Sequence, residues 1–172
     1  MKKILTLFII FLTTLFSFTN NQSLLVNAAS VTTTEEIINK EIISKEIIPL
    51  DDSYYMEVIT YDTTFAQANT ASTTATTYTK SPSKTHNIKN AANNTLVSYT
   101  LYATFTYNGS TSSCTSVSYS TTVYDSTWCF TSATASRSGN KATGSYTAKC
   151  PTLGQTVSNT ITITCDANGN IS

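Results

Sequence analysis

From Val97 to Tyr107 apolar and polar residues alternate without a break. Val97, Tyr99, Leu101, Ala103, Phe105 and Tyr107 take one side, and Ser98, Thr100, Tyr102, Thr104 and Thr106 the other. A strict period of two predicts a strand with one buried face. The same alternation returns in Val117, Tyr119 and Val123, and again near the C-terminus. There Val157, Ile161, Ile163 and Cys165 oppose Thr156, Ser158, Thr160, Thr162 and Thr164. Tyr54 to Tyr61 is a strand by its aromatic and β-branched content, and Tyr78 to Asn87 is one broken at Pro82. Turn signals lie between these runs, at Asn90–Asn94, Asn108-Gly109-Ser110, Asp125-Ser126 and Pro151–Gly154. The pattern predicts an all-β domain over 78–172, an antiparallel β-sandwich of immunoglobulin-like or Greek-key topology.

The most specific local signal is the stretch from Trp128 to Cys150. Ser138-Gly139-Asn140-Lys141 predicts a two-residue hairpin turn, with Gly139 supplying the positive φ. With Ser138 facing Lys141, Cys129 falls opposite Cys150 in a non-hydrogen-bonded pair, where Cα atoms approach to about 4.5 Å, close enough for a disulfide. That register carries a conflict, because it sends Trp128 and Phe130 to the face away from the cysteines. A bulge, a hairpin covered on both faces, or exposed aromatics would each resolve it. Four cysteines admit three pairings. If Cys129 pairs with Cys150, Cys114 is left for Cys165, closing a loop of about 50 residues. Zinc is not expected: no Cys-x-x-Cys is present and His86 is the only imidazole.

The N-terminal third reads differently. Lys2-Lys3, the apolar run from Ile4 to Phe18 and Val26-Asn27-Ala28 predict a secretory signal peptide over 1–28, and hence secretion to an extracellular, disulfide-permissive setting. With the signal removed no membrane span is expected. An acidic segment, 29–62, holds eight acids and two bases. It contains a five-residue repeat, Glu36-Ile37-Ile38-Asn39-Lys40, Glu41-Ile42-Ile43-Ser44-Lys45 and Glu46-Ile47-Ile48-Pro49-Leu50. Thr33 with Glu36 forms a capping box, and Glu36–Lys40 and Glu41–Lys45 are favourable i,i+4 pairs. A period of five nonetheless builds no single apolar helix face. The prediction is a marginal helix ordered against a partner and stopped at Pro49. Residues 63–77 read as a Thr/Ser/Ala-rich linker, beyond which two acids meet six bases.

Candidate chemistry is sparse. His86 has no carboxylate nearby in sequence and reads as a solvated strand-edge residue, and the C-terminal domain offers only Asp125 and Asp166, so a hydrolase would need a fold that unites them. Asp166-x-Asn168-x-Asn170 has the oxygen spacing of a calcium loop but lacks its glycine and its final glutamate, and reads as a turn. Thr160, Thr162 and Thr164 form a hydroxyl row that would suit ice or a polysaccharide, but it reads as the ordinary solvent face of an antiparallel sheet, because an ice face needs the row repeated on many strands. Among the ten tyrosines and other aromatics, Tyr102, Tyr107, Trp128 and Phe130 are the candidate binding surface.

Ser83-Lys84-Thr85, Thr104 to Ser110, Ser126-Thr127-Trp128, Ala135 to Ala142 and Cys165-Asp166-Ala167-Asn168-Gly169, with the acidic stretch Pro49 to Tyr55, resemble a group of small secreted proteins of Gram-positive, clostridia-like bacteria. The resemblance implies secretion and a Thr/Ser-rich β-sandwich, and no catalytic residue. It also implies that the usual single disulfide corresponds to Cys114 and Cys165, with Cys129–Cys150 an extra bridge. The expected function is a secreted, non-catalytic binding module for a protein or an extracellular polysaccharide, without cofactor or nucleic acid. The alternative is a processed effector or bacteriocin-like protein whose acidic segment masks the basic domain until the linker is cut.

Overall fold

Nine strands carry most of the residues described by the computed structural model, which are 39–64 and 77–172. The expected signal peptide, residues 29–38 of the acidic segment and residues 65–76 of the linker lie outside the described residues. The strands are β1 (Asn39–Pro49), β2 (Tyr54–Thr64), β3 (Tyr78–Lys80), β4 (Ser83–Asn90), β5 (Thr95–Tyr107), β6 (Ser112–Val123), β7 (Cys129–Ser138), β8 (Lys141–Cys150) and β9 (Gln155–Thr164). All pairings are antiparallel. One sheet runs β1-β2-β4-β5-β6, with β3 continuing the line of β4 along β5. The break between β3 and β4 falls at Ser81-Pro82, where the Ala103 amide still reaches the Pro82 carbonyl at 3.1 Å. The second sheet is β7-β8-β9.

Strands adjacent in each sheet follow one another along the chain, so both sheets are meanders. The Greek-key return expected from the sequence does not occur among the described strands. Its physical basis is missing, because most successive strands are joined by short turns that leave no reach for a crossing connection.

A single buried cluster draws on both sheets. Val97, Tyr99, Leu101, Ala103 and Phe105 of β5 meet Ala142, Tyr146 and Ala148 of β8 and Ile161 and Ile163 of β9. Tyr99 stacks on Tyr146 at 4.9 Å and on Tyr119 at 5.6 Å. Gly144 makes this possible, since a Cβ there would strike the Tyr99 hydroxyl.

The predicted helix over the five-residue repeat is a strand instead. β1 pairs with β2 from Asn39 to Pro49, with a bulge that leaves Ile43 out of register between Ile42 and Ser44. An odd period has no consistent face in a regular strand. One extra residue per repeat makes it even: Lys40, Ile42, Lys45 and Ile47 then share one face, and Glu41 and Glu46 the other. Lys40 accordingly sits over the Tyr61 ring at 4.0 Å, and Lys45 reaches Glu57 at 2.7 Å. The acidic segment thus supplies two strands of the larger sheet.

Candidate functional site

The outer face of the β7-β8-β9 sheet is a lattice of hydroxyls. Side chains at even positions of β7 from Ser132 onward, odd positions of β8 and even positions of β9 point away from the buried cluster, as alternation about Ala142, Tyr146, Ala148, Ile161 and Ile163 requires. The registers then align three rows across the three strands. They are Ser132–Thr147–Ser158, Thr134–Ser145–Thr160 and Ser136–Thr143–Thr162. Neighbouring strands in such a sheet lie about 4.8 Å apart, and successive rows follow about 6.8 Å apart along them.

Lys141 and Lys149 flank the lattice at its two ends, paired with Thr164 and Thr156 on β9. No charged side chain falls within the three rows. Ser145 and Thr160 hydroxyls are 3.1 Å apart and those of Thr147 and Ser158 3.0 Å apart, so two of the cross-strand pairs hold each other in fixed orientation. An open groove of about 400 Å³ lies here, lined by Ser132, Ser145, Tyr146, Thr147, Ser158, Asn159 and Thr160.

The free edge of β9 is closed to further strand pairing by three devices. Thr164 exchanges both backbone hydrogen bonds with Ser172, at 2.8 and 3.1 Å. The Lys84 amine donates to the Thr162 carbonyl at 2.8 Å, and the Thr160 amide donates to the Asn159 side chain at 2.7 Å. Lys84 is half-buried, and burial lowers its pKa. Blunting of this kind keeps an edge from templating another chain.

The aromatic candidates do not converge. Tyr102 is exposed on the larger sheet and faces the Ser120 hydroxyl at 3.3 Å. Tyr107 is half-buried, stacked on Tyr78 at 5.5 Å, and packs where a Cβ on Gly169 would otherwise stand. Trp128 is buried against Tyr54, with ring centroids 5.7 Å apart, and Phe130 packs edge-on to Tyr146 at 6.0 Å. The expected binding surface of Tyr102, Tyr107, Trp128 and Phe130 is therefore not one surface, and Trp128 belongs to the core.

The cysteines depart from expectation as well. All four are free thiols. The hairpin keeps the predicted register from Ser138↔Lys141 to Ser132↔Thr147, then a bulge between Phe130 and Ser132 moves Cys129 opposite Lys149. The Cys129–Cys150 pairing is lost by one residue, and the bulge is what turns Trp128 and Phe130 inward. Cys129 is exposed and Cys150 buried. The Thr152 hydroxyl, 3.3 Å from Cys150 Sγ, lowers that thiol's pKa. Cys114 and Cys165 are both buried beside the β7–β8 turn. Their amides donate to the carbonyls of its two central residues, Gly139 at 2.8 Å and Asn140 at 3.2 Å. Burial raises both thiol pKa values.

His86, expected at a solvated strand edge, is buried between the sheets with Nδ1 3.1 Å from the Tyr146 hydroxyl. Burial pulls its pKa down to about 4, with the Lys84 charge adding to the effect. The two acids of the C-terminal domain are engaged locally. Asp125 accepts from the Thr127 amide and hydroxyl, and Asp166 from the Asn168 and Asn170 amides and the Asn170 side chain. The Asp166 oxygens thus organise a C-terminal turn. Among the described residues no three His, Cys, Asp or Glu side chains come together.

The Thr160-Thr162-Thr164 row was visible in sequence. Its extension over β7 and β8 was not, because it depends on two inter-strand registers. Comparison of the chain with protein-family models, curated proteins and solved structures finds no match.

Proposed function

We infer that the protein is a secreted, non-catalytic binding module, built as a two-layer β-sandwich, whose contact face is the hydroxyl lattice of β7-β8-β9 and whose partner is an uncharged extracellular polysaccharide. The observation that carries this reading is the repetition of the hydroxyl row on three adjacent strands. Each hydroxyl both donates and accepts, as do those of a sugar polymer. An apolar partner would bury the hydroxyls without replacing their hydrogen bonds with water, and each stranded group costs on the order of 1–3 kcal/mol. A charged polymer would find nothing to pair within the three rows. The processed-effector alternative has less support, since removal of the acidic segment would strip β1 and β2 from the sheet and uncover His86, Ile88 and their neighbours on β4.

Co-sedimentation with insoluble uncharged glucans and chitin tests the reading. The quadruple variant Ser145→Ala, Thr147→Val, Ser158→Ala and Thr160→Val should lose binding at least tenfold while keeping the wild-type circular dichroism. Equal binding by the folded variant would refute the assigned face.

A further inference from the structure

We propose that the open end of the β7–β8 hairpin is a redox-driven register switch: forming a Cys129–Cys150 disulfide removes the bulge at Thr131 and turns Trp128 and Phe130 out of the core. The sequence of this hairpin satisfies two registers at once. In the bulged register, Cys129 faces Lys149, Phe130 faces Ala148, and Trp128 is buried against Tyr54. Continuing the turn-proximal register, Ser132↔Thr147, without the extra residue sets Cys129 opposite Cys150 on the inner face. It also moves Phe130 opposite Lys149 on the outer face. One arrangement buries the aromatics and separates the thiols; the other joins the thiols and exposes the aromatics. A shift of one residue exchanges them, because side-chain direction alternates with a period of two.

The fold confines that exchange to a few residues. β7 is an edge strand, so no third strand depends on its register. Cys129 is its first residue and Thr131 the unpaired one, leaving Ser132 to Ser138 untouched. Opposite, Cys150 leads into a 3-10 turn at Pro151–Leu153, so the β8 end is fixed and the β7 end is the one that moves. The exposed Cys129 is available to an oxidant while Cys150 is not.

The oxidant is an external small-molecule or protein disulfide. The Cys129 thiolate attacks one of its sulfurs and expels a thiolate. The Cys150 thiolate then attacks the Cys129 sulfur of the mixed disulfide and expels the second. Two protons and two electrons leave the protein, and the external disulfide becomes two thiols. The new register sets Phe130 beside Lys149 and Thr156, at the end of the hydroxyl lattice, adding an aromatic ring on which a sugar can stack. This last consequence rests on the binding reading above; the switch does not.

The protein carries one tryptophan, Trp128, so its emission reports the register directly. The reduced protein is titrated with oxidised glutathione, in wild type and in a Cys114→Ala/Cys165→Ala background, and followed by non-reduced peptide mapping and acrylamide quenching. The expected result is a monomer containing a Cys129–Cys150 peptide, with Trp128 quenching increased several-fold, reversed by dithiothreitol and absent in Cys129→Ser. Deletion of Thr131 closes the ladder with Phe130 still opposite Ala148, so that variant should keep Trp128 protected and Cys129 apart from Cys150 even in the presence of oxidant. Three outcomes would overturn the proposal: a Cys129–Cys150 bond with Trp128 still protected, a Cys129-linked dimer, or a protein that stays reduced. Glycan sedimentation of the oxidised and reduced forms tests the added ring separately, since the switch stands or falls on the map and the quenching.

Discussion

His86 lies where a charge is least favourable, between two sheets, with Tyr146 before it and the Lys84 amine two residues away. Its folded pKa of about 4 is below the ordinary 6.5. The unfolded chain therefore takes up the proton first as pH falls. Stability from this group is complete above about pH 6.5, declines between 6.5 and 4, and is lost by then, for a total near 3 kcal/mol. Glu57 adds a second, lower limb. Hydrogen bonds from Lys45, Lys89 and Asn87 hold its carboxyl down to about 2, so its contribution is present above about 4.5 and disappears toward pH 2. Urea unfolding between pH 8 and 2 should show both limbs, and His86→Phe should flatten only the upper one. At Gly144 the limit is steric. Gly144→Ala would bring a methyl to 2.9 Å from Ile161 Cγ2 as well as onto Tyr99, and should cost about 1–3 kcal/mol in the same assay.

At the scale of elements, two bulges separate the chain from a plain reading of its pattern. The alternation of β9 and of β5 from Val97 onward was legible because no extra residue interrupts either run, whereas β6 is mostly exposed and carries a bulge at Thr115. The Gly139-Asn140 turn likewise fixed the register of the upper hairpin. A bulged residue carries no mark of its own: Ile43 and Thr131 resemble their neighbours and are identified only by what pairs on either side. The repeat in β1 therefore read as a poor helix, and Cys129 as the partner of Cys150. His86 was misplaced for a different reason, since polarity argues for solvent until the Tyr146 hydroxyl and the covering sheet are known. The β1 bulge can be tested by deleting Ile43. The ladder then closes with Ile42 still opposite Tyr61 and Ser44 opposite Thr60, so Lys40 keeps the Tyr61 ring and the urea midpoint and m-value should hold. A fall equivalent to about 0.5–1 kcal/mol, the loss of the ring contact, would mean that Ile43 is paired. Changing Ile43 to Thr, which keeps the extra residue, should leave the midpoint nearly as it was.

The whole molecule is held together by ladders that cross the boundary between its acidic and basic parts. β2 pairs with β4 over eight residues from Tyr54↔Asn90 to Tyr61↔Ser83, and the Lys80 amine reaches Asp62 at 2.8 Å. On the other side, Cys114 of the larger sheet and Cys165 bracket the β7–β8 turn, and a bond between them would close a loop of about 50 residues, worth on the order of 4 kcal/mol. Oxidation that joined these two free thiols should raise the melting temperature accordingly, and dithiothreitol should reverse the gain. The β2–β4 ladder has a consequence for processing. A protease cutting between residues 65 and 76 breaks one covalent link and none of those hydrogen bonds. The buried faces of Met56, Val58 and Thr60 also stay matched to β4 and to the β9 side. Limited proteolysis should therefore yield two fragments in a denaturing gel that co-elute as one species on native size exclusion, with the melting transition lowered but still cooperative. Separation of the fragments under native conditions, with the basic part still folded, would instead favour a detachable acidic segment and the effector reading. The hydroxyl face lies wholly in the second fragment, so glycan sedimentation of the nicked complex should match that of the intact chain.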